Sequence, residues 1–167
     1  MELYVLRHAI ALTAAEAGVS NDSERPLSSE GRDKMKRIAA AMKSIGVEVD
    51  LILSSPYLRA RETALMAHEG LGLKDQLDFT DALASGEDSK LILAELKTRL
   101  KTSARIMVVG HEPDLSLLIS KVTSLGRLRV EMKKAGLAKI EITETHPEIK
   151  GTLEFLVTPK VMLHVKG

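Results

Sequence analysis

Two short apolar runs, each ending in a histidine, constrain this chain more than any other feature. Leu3-Tyr4-Val5-Leu6 leads into Arg7-His8, and Ile106-Met107-Val108-Val109-Gly110 leads into His111-Glu112-Pro113. Aliphatic and β-branched runs this short, bounded by polar residues, read as buried strands. Each histidine therefore sits where a strand leaves the core. In open α/β sheets that carboxyl edge is where ligands bind. Two such edges, each delivering a histidine and one of them an adjacent arginine, point to a site for an anion.

The rest of the chain supports a layered α/β domain. Ser28 is placed as the N-cap of a helix running to about Ile45, with Ile38, Ala39, Met42 and Ile45 as its apolar face and Gly46 as its stop. Leu51-Ile52-Leu53 reads as a second strand, followed by a helix from about Tyr57 to Glu69. Leu77–Phe79 is a short third strand. A helix from about Ser89 to Leu100 turns Leu91, Ile92, Leu96 and Leu100 inward. Ile106–Val109 is the fourth strand, and Pro113 opens a helix through about Val122. The polar stretch Thr13 to Arg25 reads as a loop at the site edge. Near the C-terminus the period changes to two over Leu137–Thr143 and Thr152–Thr158, the mark of strands half exposed to water. His146-Pro147-Glu148 and Gly151 lie between them as a hairpin connection. Helices interleaved with strands, then a late hairpin, predict a three-layer α/β/α sandwich on a mixed, mostly parallel sheet. The 167 residues are expected to form one domain over positions 1–167.

Composition narrows the function classes. There are 24 Lys+Arg against 23 Asp+Glu, a net charge of +1, so any preference for anions has to be local. Aromatic residues make up 2%, with no Trp, which argues against base-stacking nucleic-acid modules. The absence of Cys removes disulfides, thiolate metal sites and cysteine nucleophiles together. No apolar run approaches the roughly 20 residues of a membrane helix, and no signal-type segment opens the chain, so a cytoplasmic location is expected.

Four segments supply polar groups to the predicted strand ends: Arg7-His8, Arg25, Arg59 and His111. Arginine suits a tetrahedral oxyanion, since its planar fork offers parallel hydrogen bonds and stays charged. Arginines around a histidine also disfavour its protonated form, leaving the lone pair a nucleophile requires. Taken singly, each residue has an ordinary alternative. Arg25 has Asp22 and Glu24 as neighbours, and Arg59 has Glu62. His68, His146 and His164 lie in no motif. The short basic clusters Lys133-Lys134 and Lys97/Arg99/Lys101 read as solvated faces.

Together the segments resemble the histidine phosphatase superfamily (the phosphoglycerate-mutase-like proteins) and, within it, the small SixA-type phosphohistidine phosphatases. The family's Arg-His-Gly signature stands here as Arg7-His8-Ala9. Its Arg-Pro-Leu-Ser/Thr-x-x-Gly segment is Arg25 to Gly31, its Ser-Ser-Pro-x-x-Arg-Ala-x-x-Thr segment is Ser54 to Thr63, and its Gly-His-x-Pro segment is Gly110 to Pro113. The resemblance spans roughly residues 1–123. It implies His8 as the nucleophile that takes up a phosphoryl group. Arg7, Arg59 and His111 would clamp the phosphate, with Arg25 as a further ligand, and no metal or cofactor is implied. The implied substrate is phosphohistidine on a partner protein, for instance a phosphorelay phosphotransfer domain. A phosphatase of a small phosphorylated metabolite and a catalytically weak phosphate-binding module are the alternatives. Two departures stand out. Ala9 replaces the motif glycine, and the stretch Asp81 to Asp88 shows no alignable general acid, with Glu87 the nearest candidate.

Overall fold

The computed structural model describes residues 1–74 and 76–164. Six strands form one sheet: β1 (Glu2–Arg7), β2 (Leu51–Ser54), β3 (Leu77–Phe79), β4 (Arg105–Gly110), β5 (Leu137–Glu144) and β6 (Lys150–Val157). Their order across the sheet is β3-β2-β4-β1-β5-β6. Neighbours from β3 to β1 pair in parallel, whereas β5 runs antiparallel to both β1 and β6. The sheet is thus mixed and mostly parallel, as the alternating pattern predicts.

Helices cover both faces. Tyr4 and Leu6 of β1, with Met107 and Val109 of β4, face α2 (Ser29–Ser44) and α3 (Leu58–Leu71). Leu3, Val5, Ile106 and Val108 face α4 (Ser89–Arg99) and α5 (Asp114–Ser124) on the other side. The period of two in each central strand sends alternate side chains into two separate cores. The chain leaves β1 over one face and returns to β4 over the other. A crevice therefore opens between the adjacent carboxyl ends of β1 and β4, the switch point of the sheet.

Several elements differ from the sequence reading. Thr13 to Arg25 is not all loop. It contains α1 (Ala14–Ala17), whose capping box joins Thr13 and Glu16, and a 3₁₀ turn at Asp22–Glu24 capped by Asn21. The Thr-x-x-Glu spacing carried that signal. Ile45 is 41% exposed, because Gly46 turns the chain at φ +77° and Val47 takes the buried place instead. Leu91 is 49% exposed. The inward stripe of α4 is Ile92, Leu96 and Leu100 at four-residue spacing, and Leu91 lies off that stripe. A last turn, α6 (Pro159–Met162), packs Met162 into the α2 side of the core.

Candidate active site

Parallel register delivers the two histidines side by side. Arg7 at the end of β1 pairs with Gly110 at the end of β4, so His8 and His111 emerge from the sheet together. Their ring centroids are 5.1 Å apart, and the Tyr57 ring lies 5.1 Å from His111 on its far side.

The loop that carries His8 is fixed by residues from two of the motif segments. Thr63 of α3 accepts a hydrogen bond from the Ala9 N–H at 3.0 Å and donates its own to the Arg59 carbonyl at 2.7 Å. The Ser28 N–H donates to the Ile10 carbonyl at 2.9 Å, and Gly31, three residues on, lies against that carbonyl. A Cβ on Gly31 would stand 2.0 Å from the Ile10 oxygen, so a glycine is what lets α2 approach the nucleophile loop. Ala9 has ordinary backbone torsions, since it is not among the residues at positive φ, and its methyl group is buried. Alanine is therefore accommodated at the place of the motif glycine.

His8 is 7% exposed, and its Nδ1 lies 2.7 Å from the Ala9 carbonyl. A carbonyl can only accept, so Nδ1 carries the proton and Nε2 keeps its lone pair. Burial, reinforced by the charges of Arg59 and Arg7, pushes the His8 pKa down to about 4. Burial likewise pushes His111 down to about 3, helped by His8 and Arg59. Both rings are neutral at pH 7. His111 Nε2 meets Ser55 Oγ at 2.8 Å, and Ser55 in turn accepts the Tyr57 N–H.

Arg59, 5% exposed at the first turn of α3, is held by one residue across the crevice. Its Nη1 donates to the Asp22 carbonyl at 2.6 Å and its Nη2 to the Asp22 carboxylate at 2.8 Å. Arg25 donates to the other oxygen of that carboxylate at 2.7 Å and, through Nε, to the Leu12 carbonyl at 2.7 Å. The Arg25 guanidinium beside it, with that of Arg59, holds the Asp22 carboxyl below the usual carboxylate range. Glu62 is not the partner of Arg59; it accepts from the Leu27 N–H and from Arg32. Arg7 donates Nη1 to the Met132 carbonyl at 2.6 Å.

Among the described residues, the buried side-chain polar atoms left without a partner are Arg7 Nε, His111 Nδ1 and Glu112 Oε1. All three belong to residues at the ends of β1 and β4. Buried polar groups are otherwise satisfied in folded proteins, so such a cluster marks a place where a ligand completes the bonding. Glu112, half-buried beside Ser116, has its pKa raised by that burial. Glu87 is exposed in the turn before α4 and bonds to none of these groups, its N–H closing onto the Ala84 carbonyl. Sequence reasoning singled out the histidines and arginines but missed Asp22, Ser55, Tyr57, Thr63 and Glu112 as their neighbours. Ser55, Tyr57 and Thr63 fell inside the Ser54–Thr63 segment, and Glu112 lay inside Gly110–Pro113. Asp22 carried no signal beyond its closeness to Arg25 in the chain.

A mixed sheet with helices on both faces, and two neutral histidines among arginines at its switch point, defines a phosphoglycerate-mutase-like α/β protein. The chain belongs to the histidine phosphatase superfamily (branch 1), whose family model matches residues 3–84. An uncharacterized protein from Picosynechococcus sp. is 30% identical over 168 residues, covering 98% of this chain and 99% of that protein. The phosphohistidine phosphatase SixA from Escherichia coli K12 is 26% identical over 160 residues, covering 95% and 94%. The structure of the protein histidine phosphatase SixA complexed with tungstate superposes with a TM-score of 0.86 at 24% identity, covering 97% and 99%. The alpha-ribazole phosphatase from Shigella flexneri shares the fold with a TM-score of 0.72 at 17% identity, covering 95% and 97%. Membership of this superfamily supports phosphatase activity.

Proposed function

We propose that this chain hydrolyses phosphohistidine on a protein, through a covalent phosphohistidine intermediate on His8. The observation that carries the reading is the tautomer of His8: with Nδ1 donating to the Ala9 carbonyl, the buried neutral ring has a nucleophilic Nε2. In the first step the Nε2 lone pair attacks phosphorus, and the bond from phosphorus to the substrate's imidazole nitrogen breaks. That imidazole leaves as a neutral amine carrying a proton from solvent or from its own protonated form. In the second step water attacks phosphorus, the phosphorus–Nε2 bond breaks, and phosphate departs with His8 restored.

Arg59, Arg7 and His111 stabilise charge on the equatorial oxygens in both steps. Asp22 uses only part of the Arg59 fork, so further guanidinium N–H groups remain for the phosphoryl group. Arg25 acts through Asp22, which it shares with Arg59. The fixed guanidinium groups give the reaction its charge stabilisation without a metal in this reading. The name of the Escherichia coli relative supports the choice of phosphohistidine.

The substrate choice also rests on leaving-group chemistry. An alkoxide needs a proton donor worth about 10²–10⁴-fold, and Glu87, the candidate acid, is exposed and makes no side-chain hydrogen bond to the groups of the site. Imidazole leaves without such help. The test compares kcat/KM for a phosphohistidine peptide, an aryl phosphate and a sugar phosphate at one pH. The first two are expected to exceed the sugar phosphate by about 10²-fold or more. A sugar phosphate that matched them would instead favour a metabolite phosphatase.

A further inference from the structure

Lys133-Lys134 reads in the sequence as a solvated basic pair, but the fold assigns it a particular place. A cleft of about 380 Å³ lies beside the nucleophile, lined by Arg7, Ala9, Ile10, Ile38, Ala135 and Pro159, with Lys34, Lys133 and Lys134 at its sides. Arg7 and Ala9 are the two residues that bracket His8, so one wall of the cleft is the nucleophile loop itself. The lysines come from α2 and from the segment before β5, positions about a hundred residues apart that meet only in the fold. Backbone bonds hold that segment in place: the Ala135 N–H donates to the Arg7 and His8 carbonyls at 3.1 Å.

The charged residues described along this cleft are all cationic, with no carboxylate among the described lining residues. Glu30 pairs with Lys34 and Glu131 with Lys133 through exposed side chains, and neither glutamate is among the described lining residues. Lys134 has no ion pair among the described residues, and its charge is felt at the His8 ring. In a chain whose net charge is +1, this is a local positive field next to the reacting nitrogen.

We propose that this cleft binds acidic side chains flanking the phosphohistidine of the protein substrate. The inference rests on the phosphohistidine reading and adds what recognises the partner. Sites for small molecules are mostly enclosed and bury most of the ligand. Here the cleft lies to one side of His8, with an apolar floor at Ile10, Ile38 and Pro159. Aspartate or glutamate residues beside a phosphohistidine offer what such a place takes: methylene stems for the floor and carboxylates for the lysines.

The experiment uses two peptides chemically phosphorylated on histidine, one with Asp and Glu flanking the phosphohistidine, the other with Asn and Gln. Within each enzyme the measured quantity is the ratio of kcat/KM for the acidic peptide to that for the neutral one. Exposed ion pairs each contribute a factor of about 2–5, so the wild-type ratio is expected near 10 at low salt and lower at high salt. The double variant Lys133→Glu/Lys134→Glu should bring the ratio to 1 or below, and Lys133→Gln/Lys134→Gln to an intermediate value. Circular dichroism confirms that the variants fold. If the wild type cleaves both peptides equally, or the ratio persists in the double variant, the cleft has no such role while the phosphohistidine reading stands. If the wild type cleaves neither peptide yet turns over an aryl phosphate, both fall.

Discussion

Positive charge is arranged differently on the two flanks of His8. On one flank a single carboxylate takes up two guanidinium groups: Asp22 receives Arg25 on one oxygen and Arg59 on the other. On the other flank three lysines line a cleft with no carboxylate among its described lining residues, Lys34 and Lys133 each paired with an exposed glutamate and Lys134 without an ion pair among the described residues. The contrast separates two uses of a cation. A guanidinium braced by a carboxylate has a fixed direction, which suits it to hold oxygens whose charge develops during reaction. A lysine on a flexible stem acts as a point charge that attracts at a distance and tolerates varied geometry.

Breaking the braced flank should have the larger effect. Arg59→Ala is expected to lower kcat/KM by on the order of 10²-fold or more, as for loss of one preorganised donor. Steady-state kinetics on a phosphohistidine peptide measures this, and a loss below about threefold would place Arg59 outside the chemistry. Asp22→Asn should act less strongly and in two directions. Releasing Arg59 from its brace lowers kcat by about tenfold, the scale expected when one charge-assisted hydrogen bond is lost. Removing a negative charge from beside the phosphate position makes inorganic phosphate a tighter inhibitor. An unchanged kcat would show that Arg59 needs no brace.

The smallest effects concern pH, where the two buried histidines between the flanks should respond. The pKa of His8 is pushed down to about 4, so the acid limb of kcat/KM belongs near pH 4, well below the ordinary 6.5 of a histidine. Stability follows the same sign. The unfolded chain binds protons near pH 6.5 that folded His8 and His111 refuse until about 4 and 3. Their contribution is therefore complete above pH 6.5 and drains as pH falls from there toward the folded values. Asp22 and Asp50, held below the usual carboxylate range, lose theirs only at lower pH. Melting temperatures between pH 7 and 4 should fall less steeply for His8→Asn than for the wild type. Equal slopes would mean that His8 is not the group refusing the proton.

What the sequence made legible is what depends on neighbours in the chain. Strand runs such as Ile106–Val109, the Ser28 cap and the strand-to-histidine junctions are local, and they carry the sheet and the switch point with them. Leu91 and Ile45 went astray because a hydrophobic residue near a helix end fits a periodic pattern whether or not the fold covers it. The brace and the cleft were out of reach for a different reason. Asp22 meets Arg59 across 37 residues, and Lys34 meets Lys134 only because the segment before β5 closes over the end of β1. Gly31 lies between the two cases. Its segment was visible as a motif, but the 2.0 Å that a Cβ would leave to the Ile10 oxygen belongs to the packed helix.

The central step of the proposed reaction is the passage of a phosphoryl group through His8. Wild-type protein and His8→Asn are mixed with a ³²P-labelled phosphohistidine peptide in the presence of EDTA, quenched within a turnover and separated under alkaline denaturing conditions. Label is expected on the wild-type chain, stable to alkali, labile to acid and confined to the peptide containing His8, with none on the variant. A variant that still turns over and carries label, or a wild type that turns over only when magnesium is restored, would contradict it.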